Sequence, residues 1–284
     1  MSIGALFHVV KGEERSAARR HFAAFGHAFE DYAIDILERM YPHSPGLVDR
    51  MARNMKGCDA AGRELEVDAS LIDASQAILF EMKAAFLREE AITDPNPDVL
   101  LDEVRAKYGA SSRPGERDKG VAQLARSIGA VVRGEWQGDH NAFAGINVIY
   151  PVLVAHDMRL DAPALGHFLE REFRALLGPV PDRKYVRPLT VMTTLDLENL
   201  DGSVGAFSFV ELLGDYSREC EDRMRSLHNF IAFSGYASKI VPSPALRGCL
   251  ETGLRGLNPE NSRESKRSPN PGAFDVDPRN SGRA

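Results

Sequence analysis

The chain predicts a mixed α/β domain with helical additions at its end. Amphipathic helical patterns alternate with short apolar runs in the order α, β, β, α, β, α, β, α. With 284 residues, 43% hydrophobic and 27% charged, a sizeable core can form.

The first element is "EERSAARRHFAAFGHAFEDYAIDILERMYP", where Phe22, Phe25, Phe29, Tyr32, Ile36 and Met40 recur at three- and four-residue steps. Pro42 ends it. The stretch "SPGLVDRMARNMK" reads as a second helix. Two short strands follow in "ELEVDASLIDASQAILFEMK". A loop-rich, charged segment over 88–117, punctuated by Pro95, Pro97, Gly109, Pro114 and Gly115, leads to "DKGVAQLARSIGAVV". There Asp118 is the expected N-cap and Val121, Leu124, Ala125, Ile128 and Val132 form a helical stripe. A strand over 145–155 comes next, then the helix "APALGHFLEREFRALLG", capped by Asp161 and terminated by Gly178. "VRPLTVMTTLDLENL" reads as a strand entering a short helix, and helical patterns cover 204–214 and 217–233. From Asn258 onward the chain is polar and proline-broken, the composition of a disordered tail.

Within the predicted hairpin, side chains alternate faces. Leu65 and Val67 point one way, and Glu64, Glu66 and Asp68 the other. Ile78, Phe80 and Met82 share one face, and Leu79, Glu81 and Lys83 the opposite one. With Ala74 and Ser75 as the turn, Asp73 pairs with Gln76 and Asp68 falls opposite Glu81. Opposed Cβ atoms in such a pair lie about 5 Å apart, so two carboxylates there repel unless a cation or a proton intervenes. Lys83 supplies part of the compensation, and a divalent metal would supply more. Oxygen ligands of this kind suit Mg²⁺, and a nearby ammonium can orient an attacking water. Phosphodiester hydrolysis is the chemistry those groups perform together.

"EVDASLIDASQAILFEMK" resembles the active-site hairpin of the PD-(D/E)xK phosphodiesterases, which have the restriction-endonuclease-like fold. The resemblance runs over roughly residues 20–155 and lacks only the motif's proline, replaced by Val67. It implies Asp68 and Glu81 as ligands of Mg²⁺ (or Mn²⁺), the Met82 carbonyl as a further ligand, and Lys83 as the residue that positions water. On the same basis Glu30 in "GHAFEDY" corresponds to an acid on the opening helix. Gln123 and Lys119 in "DKGVAQL" correspond to a polar pair on the helix after the hairpin, although Lys119 also reads as an ordinary lysine near a helix start. Glu66 is either an auxiliary ligand or solvated. The implied activity is a DNA endonuclease of bacterial defence or DNA processing. A homodimer would cut both strands, and a defence-system partner protein is a further expectation. The alternative is a catalytically silent subunit of the same fold that binds DNA or a partner protein.

The expected division is a nuclease-like core over 1–155, an α/β to helical continuation over 156–257 packed on it, and the tail over 258–284. A formal net charge of −6 excludes a global basic field, so any anion site is a local patch. Arg15, Arg19 and Arg20, and Arg113, Arg117, Lys119, Arg126 and Arg133, form two basic clusters that either grip DNA phosphates or simply face water. Cys58, Cys220 and Cys249 are widely spaced, as in a reduced protein without a zinc pair. No run is long enough to cross a membrane, and the start lacks a secretion signal, so a cytoplasmic location is expected. GxxxxGK[ST], GxGxxG and GxSxG are all missing, which removes nucleotide-driven and serine-hydrolase chemistry. His156 and His167 lack metal-ligand spacing.

Overall fold

A computed structural model describes residues 15–41, 51–110, 120–138, 143–181, 184–203, 206–220 and 225–241, with the backbone alone at 15–19. The elements are α1 (Arg15–Met40), β1 (Met51–Cys58), β2 (Glu64–Asp73), β3 (Gln76–Lys83), α2 (Glu89–Ile92), α3 (Pro97–Tyr108) and α4 (Val121–Arg133). They continue with β4 (Gln137–Gly138), β5 (Val148–Ala155), α5 (Pro163–Leu177), β6 (Tyr185–Val186), β7 (Thr190–Thr193), α6 (Thr194–Asp201), α7 (Phe209–Glu219) and α8 (Leu227–Phe233). The strands form one mixed sheet in the order β4-β1-β2-β3-β5-β6, with β7 also pairing with β5. β1, β2 and β3 are antiparallel neighbours, whereas β5 runs parallel to β3.

Helices cover both faces of the sheet. Along β3, Ile78, Phe80 and Met82 enter one apolar cluster with α1, α6, α7 and α8. Ala77 and Leu79 enter the other with α3, α4 and α5. β5 divides the same way, Val152 and Val154 to one side and Leu153 and Ala155 to the other. Strands buried on both faces are the reason "AILF" and "VIYPVLVA" read as unbroken apolar runs. Residues on both sides of position 155 build each cluster.

Several expectations change on contact with the structure. "MARNMK" is strand β1 rather than helix, and residues 44–50 of that predicted helix lie outside the described set. Met51 and Met55, four apart, satisfy both periodicities, and pairing with β2 decides between them. The segment read as loop contains α2 and α3; Asn96 caps α3 by accepting from the Asp98 N–H, and Pro97 sits at its start. The N-cap of α4 is Gly120, with Asp118 outside the described residues. Ahead of α5, Asp161 closes a 3-10 turn and Ala162 is the cap, while Gly178 ends the helix as expected. In α1 the buried line is Phe29, Ala33, Ile36, Leu37 and Met40, and Phe22 and Tyr32 remain 44% and 43% exposed. The last helices begin at 209 and 227, later than predicted. The tail from Asn258, with Cys249, lies outside the described residues.

The hairpin turn is Ala74–Ser75, and the register runs from Asp73↔Gln76 to Ala69↔Phe80. Ala74 occupies the left-handed region at φ 54, which costs an L residue about 1 kcal/mol that glycine avoids. Replacing Ala74 by Gly is expected to stabilise the fold by about 0.5 kcal/mol, read as a higher urea midpoint.

Candidate functional site

Beyond Ala69↔Phe80 the β2–β3 ladder opens into a fork, so Asp68 and Glu81 do not form the cross-strand pair expected from the turn. The start of β2 stays with β1 through Met55↔Val67 and Lys56↔Glu66. The end of β3 stays with β5 through Glu81↔Leu153 and Lys83↔Ala155. At the crotch, the Met82 N–H donates to Asp68 Oδ2 at 2.6 Å, so the carboxylate replaces the missing backbone partner. The β1–β2 pairing also lapses at Asp68, opposite Asn54, which has φ 50. Strict alternation fails at the same residue, since Val67 packs with the α4 face while Ala69 and Leu71 pack with the α1 face.

Three charged groups meet here. Glu81 is fully buried and Asp68 is 5% exposed, while the Lys83 side chain keeps 24% of its surface. Lys83 Nζ lies 2.6 Å from Glu81 Oε1. The same oxygen accepts the Gly120 N–H at 3.2 Å, which ties the site to the start of α4. Gly120 has φ 55, and a Cβ there would collide with the Tyr108 carbonyl, so only glycine brings this N–H to Glu81. Glu81 Oε2 is buried without a hydrogen-bond partner among the described residues.

Burial, and then the charge of Asp68, push the Glu81 carboxyl up to about 8 against the pull of Lys83 and the Gly120 N–H. Burial also raises Asp68, with Lys83 and the Met82 N–H opposing. Burial works against the Lys83 ammonium, but Glu81 and then Asp68 hold it above its ordinary value. Among the described residues, two buried carboxylates face one ammonium. A proton on Glu81 or a divalent cation between the acids relieves their repulsion. The unpartnered oxygen and the oxygen-rich donor set fit a hard cation of the Mg²⁺ class.

Glu30, half-buried on α1, belongs to the same electrostatic group. Burial and then Asp68 raise its carboxyl, Lys83 and His27 lower it, and Glu66 raises it. Met82 contributes its N–H. Gln123 lines a neighbouring groove with Glu66 and Arg126. Lys119, Arg113 and Arg117 lie outside the described residues, as do the side chains of Arg15 and Arg19; Arg20 is exposed. Arg133 bonds Glu135 at 2.9 Å. His156, placed after β5, stands edge-on to Phe25, Phe29 and Phe86. No three His, Cys, Asp or Glu side chains among the described residues form a metal cluster. Sequence reasoning missed Gly120; its signal was a glycine directly before a strongly amphipathic helix.

No protein-family model and no curated protein matches this chain. Among solved structures it is similar to the small subunit of the heterodimeric restriction endonuclease R.BspD6I. That likeness has a TM-score of 0.28 and 12% identity, and covers 69% of this chain and 87% of that one. A similarity of this size decides neither fold family nor activity. No helix among the described residues is long and apolar enough to cross a membrane.

Because Glu81 holds its proton more tightly folded than at its ordinary 4.5, its contribution to stability is complete below pH 4.5 and is lost as pH rises through about 8. In EDTA, the urea unfolding free energy of wild-type protein is expected to fall across that window by up to about 1.4 kcal/mol per pH unit relative to Glu81→Gln, which cannot titrate.

Proposed function

We propose that this chain is a metal-dependent DNA endonuclease of the PD-(D/E)xK type with a restriction-endonuclease-like fold. The supporting observation is the fork, where Asp68 and Glu81 leave adjacent strands beside Lys83, with one buried Glu81 oxygen that has no hydrogen-bond partner among the described residues. Asp68 and Glu81 would hold Mg²⁺ (or Mn²⁺), with the Met82 carbonyl as a further ligand. Such an ion supplies charge neutralisation at the phosphoryl group and a more acidic water.

The protein's own groups would then divide the remaining work. Lys83, the most exposed of the three, would donate from its ammonium to the attacking water and to the developing oxyanion. Glu81, relieved of its proton when a cation binds, would keep Lys83 oriented through Oε1. Glu30 would close the acidic side of the site, and the Gly120 N–H would hold Glu81 in place. In-line attack would leave a free 3′ hydroxyl. Cutting both strands of a duplex would take two such sites, from a homodimer or a defence-system partner. Bacterial defence and a cytoplasmic setting belong to this proposal as well.

Wild-type protein is expected to nick supercoiled plasmid with Mg²⁺ and not with EDTA. Asp68→Asn and Lys83→Ala are expected to slow cleavage by at least about 100-fold while melting within a few degrees of wild type. Calorimetry should show Mg²⁺ or Mn²⁺ binding that Asp68→Asn loses. Cleavage by Lys83→Ala at the wild-type rate would remove the mechanism, and neither binding nor cleavage by wild type would favour the non-cutting subunit.

A further inference from the structure

β3, β5 and β7 run parallel and end side by side, at Lys83, Ala155 and Thr193. The crevice outside the carboxyl ends of parallel strands is where open α/β sheets take their ligands. His156 is the first residue past β5, and its backbone N–H donates to the Lys83 carbonyl at 3.1 Å. Its main chain is thus one strand spacing, about 4.8 Å, from that of Lys83.

Three phenyl rings hold the imidazole. Phe25 and Phe29, one turn apart on α1, and Phe86, three residues past Lys83, stand edge-on to it with centroids at 5.2, 5.5 and 5.1 Å. Glu30, next to Phe29, is the α1 carboxyl that feels Asp68 and Lys83, so one helix serves both the fork and this ring. Just beyond His156, Asp157 accepts the Leu87 N–H at 2.8 Å and binds Arg159, which fixes the backbone. The ring is pre-oriented.

Its two nitrogens differ. Nδ1 is buried without a hydrogen-bond partner among the described residues. Nε2 is not enclosed in this way, and no hydrogen bond among the described residues occupies it. Burial pushes the imidazole below its ordinary value, against Asp157 and then Glu198, so at neutral pH it carries one proton. An enclosed N–H without an acceptor is rarer in proteins than an enclosed acceptor without a donor, which puts that proton on Nε2. His156 therefore presents one uncharged donor in a fixed direction. The charges acting on it are carboxylates, Asp157 and Glu198, which repel a phosphate. A base edge is uncharged, and every base pair carries acceptors in both grooves.

We propose that His156 donates from Nε2 to an acceptor on a nucleobase edge, that of the nucleotide beside the scissile phosphate, and so seats a DNA strand over the fork. That this nucleotide adjoins a cut bond rests on the endonuclease reading; the contact itself does not.

His156→Phe keeps a ring among the three phenyls and removes the donor. It is expected to melt within a few degrees of wild type. In fluorescence anisotropy of the full chain in EDTA, where nothing is cut, it should bind an end-labelled duplex about fivefold more weakly. His156→Gln carries an amide N–H near the Nε2 position and should return the affinity to within about twofold, whereas His156→Asn, with its amide at the Nδ1 position, should not. A purely structural imidazole predicts the reverse order, with Phe the best replacement. A base-free deoxyribose-phosphate strand separates base from phosphate as the acceptor. His156→Phe should weaken binding of an ordinary single strand and leave the base-free strand unchanged. In cleavage assays it should raise KM and spare kcat. Wild-type affinity in His156→Phe, equal losses on the two strands, or no DNA binding by wild type would overturn the contact, and cleavage by wild type would leave the endonuclease reading standing. A loss confined to the ordinary strand in a protein that never cuts with Mg²⁺ would uphold the contact and remove that reading instead.

Discussion

The hydrogen bond from the Met82 N–H to Asp68 is the contact on which this architecture turns. A sheet that stayed zipped would pair β2 with β3 to their ends and leave no space between them. Here the carboxylate occupies the backbone acceptor position, so β2 follows β1 and β3 follows β5. A buried N–H without a partner costs about 1–3 kcal/mol, which makes the substitution of side chain for ladder tolerable. The interruption opposite Asn54 lets β1 and β2 turn away together.

Charge follows from that geometry. The apolar face that carries Ala77 and Leu79 next carries Glu81, which is fully buried and compensated by one ammonium and one backbone N–H. A buried ion pair alone is weak support for a fold, and this one is outnumbered by carboxylates. The surrounding helices tolerate it because the N-cap N–H of α4, from Gly120, reaches Glu81, and because Glu30 and Lys83 keep some contact with solvent. Among the described residues, the two buried carboxylates face one ammonium whichever activity the site serves.

The braces around the fork are ordinary packing and ion pairs. Asp157 accepts the Leu87 N–H and binds Arg159, and Arg88 pairs with the buried Glu103, so the segment leaving β3 is held from two sides. Tyr108 donates to the Ala85 carbonyl from the end of α3. None of these residues touches the carboxylates. They hold the segment that leaves β3 after Lys83.

Local pattern alone determined the hairpin, its Ala74–Ser75 turn, the division of β3 between two faces, and the helices around 121–133 and 163–177. Period-two and 3.6-residue spacings are properties of neighbouring residues, so they can be seen in a single chain. The turn set the register only as far as Ala69 and Phe80; the expected Asp68–Glu81 pair is replaced by the bond from the Met82 N–H to Asp68, which local pattern did not record. Tertiary structure decided the rest. Met51 and Met55 fit a helix until β2 offered them a partner, and Asn96–Pro97 looked like a loop until α3 packed behind it. The closeness of Glu30 and the Gly120 N–H to the fork came from segments tens of residues apart. Such distances depend on how helices close over a sheet, and nothing in adjacent residues records them.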